Sequence, residues 1–276
     1  LDQLTFLTVA NEISSYAALG KNGQDVLSSY TDVRTIASAT KRFNVFDTPQ
    51  TTPMTIQFNL LSRPLNRLAA RQALIYATNI AALNKGIFEG QAIMTQSPTG
   101  PAGLFYEPVV PGTLTYNLAK ARKIVHQLHG LSVTLPSFGG TEIAEVLQAQ
   151  WAKAGIRTNL FSKGFPQAFL TSCGSFDPAT GLTGLGSCFG NTGLFKFPDP
   201  HMVDMVNAAA QATDPTTRAA DYQAIFSYIS ANAYAEFLGL APDYLITVRQ
   251  VRFPVDEPGV LAPLNASYWE NVSIRG

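Results

Sequence analysis

Reactive side chains are scarce in this sequence. Histidine occurs only at His126, His129 and His201, and cysteine only at Cys173 and Cys188, in 276 residues. Two cysteines do not make a disulfide scaffold, and without CxxC or HExxH spacing the usual zinc sites are excluded. Charge is sparse as well: 14% of residues are charged, and 19 basic residues cancel 19 acidic ones. With no basic stripe, nucleic acid is not an expected partner. No apolar run reaches the roughly 20 residues that a membrane helix needs. Neither a GxSxG elbow nor a P-loop occurs, so no cofactor is implied. Internal repeats and low-complexity runs are missing too. The chain opens on the strand-like LTFLTV with no start methionine, signal segment or lipid-anchor cysteine, as expected of a processed or excised chain.

What remains is an ordinary packed core, 46% hydrophobic, ample for one large domain or two small ones. Residues 4–9, 43–46 and 55–61 read as strands, and residues 14–19 and 31–40 as short helices, the second capped by Thr31 or Asp32. Residues 67–78 form a clear helix with Leu68, Ala69, Gln72, Ala73, Tyr76 and Ala77 on one stripe. A further helix starts near Ile80 and ends at Gly86 or Gly90. The Pro/Gly-rich stretch 96–111 is too stiff for a helix and too long for a simple turn. Residues 117–129, 131–136, 142–154 and 157–161 then read helix, strand, helix, strand, with Gly155 ending the second helix. This is an α/β arrangement, a mixed sheet flanked by helices. Helices follow at 201–212 and 216–232, broken at 213–215, and then strand and loop at 238–248.

Several of these segments carry a resemblance. The stretch TIQFNLLSRPLNRLAARQALIYATNIAALNKGIFEG, the phrase LQAQWAKAGIRTNL and the TDP-initiated helix resemble the extracellular solute-binding proteins of family 5, which feed dipeptides and oligopeptides to ABC importers. The likeness is sharpest at Asn59, residues 71–77, 151–156 and 214–222, and weak over 163–200. It implies a periplasmic-binding-protein-like second lobe, spanning residues 1–248, and a return segment, 249–276, directed at a first lobe that this sequence lacks. It also implies a monomer outside the cytoplasm, anchored or secreted, which binds a peptide or similar small solute and delivers it to a membrane permease without catalysis. The rival reading is a free-standing α/β enzyme or interaction domain.

In the resembled family an aspartate holds the free amine of the ligand, following a tryptophan and a small residue. The matching stretch here is GSCFGN, with Ser187 at the tryptophan position and Gly190 or Asn191 at that of the aspartate. Neither supplies a negative charge, and Asp177 is the acid that can substitute. The resemblance thus implies ligand-facing roles for Asp177, Ser187, Cys188 and Asn191, while Phe176 and Phe189, in a dense run of aromatics, read first as core and second as the lining of an apolar cleft. Phe165, Phe169, Phe195 and Phe197 add to the aromatic density and read first as core. Cys173 and Cys188 can close a loop as a disulfide, or stand apart as small apolar residues. His126 and His129, three apart on one helix, read as a solvated face, as do Glu142 and Glu145. His201 reads as a cap or surface residue. A nucleophilic Ser187 or Cys188 would need a base that no neighbouring residue supplies. Arg71, set in an apolar helix, is expected to pair with a buried carboxylate or a carbonyl rather than with a ligand.

Overall fold

The computed structural model describes residues 3, 5–7, 11–21, 23–27, 29–48, 51–136, 141–161, 166–172, 178, 198–252 and 272–274. The chain divides into two compact units, Thr51–Leu240 and the pair of segments Leu1–Gln50 and Ala241–Gly276. The chain therefore passes from one unit to the other at 50/51 and again at 240/241.

In the larger unit, β3 (Met54–Phe58) is flanked by β6 (Ala168–Ser172) and β7 (Ala235–Gly239), antiparallel on both sides. A second pair, β4 (Leu131–Pro136) and β5 (Ile156–Phe161), is parallel, and α6 (Thr141–Lys153) makes the crossover between them. Parallel neighbours require such a crossover. Gly155, with φ +82°, supplies the left-handed turn that ends the helix. The helix–strand–helix–strand order read for this region is completed by α5 (Leu118–Gln127), whose buried residues Ala121 and Val125 lie on the expected face.

The helix α3 (Leu68–Ala77) forms where expected, but its face is shifted. Ala70, Ala73, Leu74 and Ala77 make the buried stripe, with Arg71 and Ile75 beside them, and Leu68 is exposed. The expected stripe assumed one covered side. In the fold α3 packs on both α5 and α6, and Trp151 of α6, fully buried, donates its indole N–H to the Thr78 hydroxyl at 3.0 Å. Two further helices, α7 (Pro200–Gln211) and α8 (Pro215–Ala231), pack against each other and bury Met202, Val206, Tyr222, Ile225, Phe226 and Ile229 with Phe237 of β7. Each starts with an Asp–Pro step: Asp199 and Asp214 accept the first free N–H groups, and proline sits where no donor is needed.

The smaller unit is built from α1 (Glu12–Ala18), β1 (Val26–Leu27), α2 (Val33–Arg42), β2 (Asn44–Asp47) and β8 (Tyr244–Thr247), with β8 between β1 and β2. The α2 cap is Asp32, one of the two expected candidates. Its core is Leu19, Tyr30, Val33, Ala39, Phe43, Tyr244 and Ile246. The strands β9 (Val251–Arg252) and β10 (Ser273–Ile274) pair antiparallel. Of the strand expected at 4–9, residues 5–7 have no regular structure and the others, Leu4, Thr8 and Val9, lie outside the described residues.

Candidate functional site

In the larger unit the end of α3, the start of α4 (Ile80–Ile87) and the loop after it enclose an open pocket of about 640 Å³. That volume lies in the range of small-molecule sites. One wall is the α3–α4 junction, residues 78–81. It is held by local chemistry: the Asn79 side chain accepts from Ala82 N at 2.9 Å and so caps α4. The Asn79 backbone is gripped from α6 by Gln150, which accepts its N–H at 2.6 Å and donates to its carbonyl at 3.1 Å.

The opposite wall is the stretch 94–116. Asn84, buried in α4, makes two bonds of 3.0 Å to the backbone of Ala92. Ile93 then exchanges two backbone bonds with Leu240, at 3.0 and 2.9 Å. Gln96 donates to the Leu114 carbonyl at 3.1 Å, and Asn117 donates its N–H to the Tyr76 carbonyl at 2.8 Å. The Pro/Gly-rich stretch is thus tied down at both ends, which gives physical content to the stiffness read from its sequence. Met94, Val109 and Tyr116 line the pocket and are exposed. Its lining carries hydroxyl and amide groups (Thr78, Asn79, Thr95, Gln96, Thr113, Thr115) and, among the described residues, no charged side chain. Such a wall suits an uncharged or amphipathic solute surface rather than an ion.

Behind this wall Gln96 and Thr113 also line a cavity of about 20 Å³ beside Glu236. Glu236 is buried, and loss of hydration drives its carboxyl well above the usual carboxylate range, against the opposing effect of the Thr78 hydroxyl. An acidic residue inside the apolar run AEFLGL is the sequence signal that could have found it.

Arg71 has the expected structural role. Its guanidinium donates to the carbonyls of Ala233 (2.9 Å), Leu65 (2.8 Å) and Asn232 (2.8 Å) and lies 5.6 Å from the centre of the Tyr234 ring. Its partners are carbonyls, not a carboxylate. Asp199 takes both tyrosine hydroxyls, Tyr228 at 2.9 Å and Tyr234, in addition to capping α7. Burial alone would raise its pKa, but these bonds outweigh it and hold the carboxyl below its ordinary value. His201 lies in the first turn of α7, exposed, edge-on to Tyr228.

His126, His129, Glu142 and Glu145 are all exposed, and no group of three metal-ligating side chains occurs among the described residues. In the smaller unit Lys21, Arg42 and Arg249 border a pocket of about 430 Å³ with Leu19, Gly20, Phe43, Val248 and Gln250. Phe169 is half-buried on β6. The candidate ligand-facing residues, Phe176, Asp177, Ser187, Cys188, Phe189 and Asn191, and with them Cys173, lie outside the described residues.

The middle-segment model of the bacterial extracellular solute-binding proteins, family 5, matches residues 1–185. The dipeptide-binding protein of Escherichia coli K12 is 27% identical over 173 residues, 58% of this chain and 32% of that protein. In structure, the chain is similar to the ABC transporter-associated periplasmic binding protein DppA from Helicobacter pylori in complex with the peptide STSA. The TM-score is 0.81 at 17% identity, over 98% of this chain and 56% of that one. It is also similar to the binding protein MoaA from A. tumefaciens R10 in complex with mannopinic acid, with a TM-score of 0.77 at 21% identity, covering 97% of this chain and 59% of that one. The chain thus spans about a third of the E. coli relative and somewhat more than half of these solved structures.

Proposed function

Because the chain belongs to the bacterial extracellular solute-binding proteins of family 5, we propose that it is part of a substrate-binding component that captures a peptide or similar small solute outside the cytoplasm and presents it to an ABC permease. The observation that carries this reading is the family match over residues 1–185, joined to the likeness of fold over 98% of the chain. The mechanism is capture by closure. Two bodies joined by few chain passages hinge about them, and the solute stabilises the closed form by binding it more tightly than the open one. No bond of the solute is made or broken.

The ligand class is a peptide in the first instance. The H. pylori structure contains a peptide and the A. tumefaciens structure mannopinic acid, so one fold accommodates both chemistries. Within the family pattern the amine-holding acid is replaced at Gly190 or Asn191, and Asp177 is the candidate substitute, with Phe176, Ser187, Cys188, Phe189 and Asn191 as neighbours at the solute. A buried ammonium needs an opposing charge. We favour a solute held without that ammonium. Calorimetry of the full-length protein against pools of free-amine peptides, acetylated peptides, sugars and metal chelates tests both levels. Binding of one pool, with no turnover of the bound molecule, supports a binding protein. Hydrolysis of a pool overturns it. Tight binding of free-amine peptides that Asp177→Asn abolishes, in a protein that still folds, overturns the favoured ligand chemistry alone.

A further inference from the structure

Three cations from three separate segments of the smaller unit border its pocket of about 430 Å³. Lys21 follows α1, Arg42 ends α2, and Arg249 comes after β8. Leu19, Phe43 and Val248 supply the apolar part of the lining. Both guanidinium groups are oriented by the fold. Arg249 donates from Nη2 to the Thr40 carbonyl at 2.8 Å and from Nη1 to Asn44 Oδ1 at 3.4 Å. A guanidinium carries five N–H groups, so these bonds leave most of the Arg249 fork unused. The Arg42 guanidinium lies 5.0 Å from the centre of the Phe43 ring. That contact uses the positive charge and not the N–H donors. All three side chains are exposed, so a solute can reach them.

Among the described residues no carboxylate pairs with Lys21, Arg42 or Arg249, and none lines the pocket. The described acids of this unit are placed elsewhere. Glu12 accepts from Thr31, and Asp243 from Ser29 and Tyr30. Asp32 caps the far end of α2, about 15 Å from Arg42 along the helix. Asp47 is at the other end of β2 from Asn44, roughly 10 Å along the strand. Asp25, whose carbonyl takes the Val248 N–H at 3.0 Å, is not among the lining residues. The C-terminus of α2 accounts for part of the pattern, since its carbonyls carry about half a negative charge. Arg249 serves it directly at Thr40. Set against three cations, that still leaves roughly 2.5 positive charges, and gathering like charges is unfavourable without a counter-ion.

We propose that this pocket is an anion site that takes a phosphate monoester, with Lys21, Arg42 and Arg249 donating to its oxygens. A phosphate monoester carries about 1.5–2 negative charges at neutral pH and three acceptor oxygens, which matches both the surplus charge and the three separate donors. A carboxylate offers one charge and two oxygens. Guanidinium and ammonium groups are the usual partners of phosphate. The 430 Å³ pocket leaves room beside the phosphate for an organic part, against Leu19, Phe43 and Val248. A soluble phosphate monoester and a phosphatidic acid headgroup present the same chemistry here. The site lies within the smaller unit and does not rest on the solute-binding reading.

The test is calorimetry of the full-length protein with glycerol phosphate, inorganic phosphate and acetate at constant ionic strength, beside flotation with phosphatidylcholine vesicles with and without phosphatidic acid. The same measurements are made on Lys21→Gln and on Lys21→Gln/Arg42→Gln. The phosphate probes should bind more tightly than acetate, and each cation removed should weaken binding about tenfold. Binding of glycerol phosphate in solution supports the site and identifies a soluble ligand. Capture by the phosphatidic acid vesicles alone, lost in Lys21→Gln, supports it and identifies a lipid headgroup. Acetate bound as tightly as phosphate overturns the proposal, as does failure of every phosphate probe to bind. Binding that Lys21→Gln leaves unchanged also overturns it, because the pocket would then hold an adventitious ion only. The Lys21 side chain makes no bond among the described residues, so Lys21→Gln decides the question if the double variant fails to fold.

Discussion

Replacing Arg71 tests whether one buried cation ties the start of the larger unit to its end. The guanidinium donates to the carbonyls of Leu65, Asn232 and Ala233 at 2.8–2.9 Å and is 6% exposed. Bonds from charged donors contribute about 1.5–3 kcal/mol each, so three amount to roughly 4.5–9 kcal/mol before desolvation of the cation is set against them. That desolvation costs several kcal/mol, and its effect shows in the Arg71 pKa, which burial lowers. For Arg71→Met the desolvation cost disappears but three carbonyls are left without donors. The net loss should be about 3–5 kcal/mol, the range for breaking a buried polar group from one side. For a unit the size of Thr51–Leu240, each kcal/mol shifts the midpoint by about 2–4 °C, so the drop should be roughly 6–20 °C. Arg71→Lys should recover less than half of the loss, because one ammonium cannot match a planar fork aimed at three acceptors. The assay is thermal and urea unfolding followed by circular dichroism. A loss below about 1 kcal/mol for Arg71→Met would refute the reasoning, because water would then be satisfying the carbonyls as well as Arg71 does.

Other perturbations follow from the same geometry. Trp151→Phe removes the bond to Thr78 and leaves a cavity at a fully buried site, so unfolding should become easier by about 2–3 kcal/mol, read from urea midpoints. Gly239 has φ +101°, and a Cβ there would come within 2.6 Å of the Ile93 carbonyl oxygen. Gly239→Ala should therefore cost about 2 kcal/mol or more, and a neutral result would show that the Ile93–Leu240 pairing gives way easily. Asp199 has a carboxyl pKa held below its ordinary value despite burial. Its contribution is present above the unfolded value, about pH 3.9, and lost as pH falls through the folded one, so Asp199→Asn should flatten the acid limb of the stability profile. An unchanged acid limb would refute that.

Local rules carried most of the fold. Asp32, Asp199, Asp214 and Asn117 each precede a helix and each caps it, which is why helix starts were readable to within a residue or two. The helix–strand–helix–strand order around β4 and β5 was readable because α6 is followed by Gly155 and the flanking strands alternate, while their parallel pairing emerged only in the fold. Where the sequence misled, burial came from several sides at once. The α3 stripe was placed one residue early because periodicity assumes a single covered face, and Arg71 is buried for its donors rather than its stem. The 640 Å³ pocket was not readable at all. Its walls come from a helix junction and a loop, held by long-range bonds such as those from Asn84 to Ala92 and from Gln150 to Asn79.

Those two tethers also bear on how the pocket works. Each is a side-chain amide bonded to backbone, and together they set the walls without any solute. A wall fixed in this way loses little conformational freedom on binding, so more of the contact energy appears as affinity. The proposed capture mechanism needs the opposite property elsewhere: the solute has to favour one arrangement of two bodies over another. A preformed wall cannot supply that difference by rearranging. If this pocket receives part of the solute, the coupling to closure must therefore come from surfaces that touch the solute only when closed. A solute that occupies the pocket alone should bind weakly and leave the open form in place. Small-angle scattering of the full-length protein with fragments and with whole solute separates the cases, and closure driven by a fragment that touches only this pocket would contradict the argument.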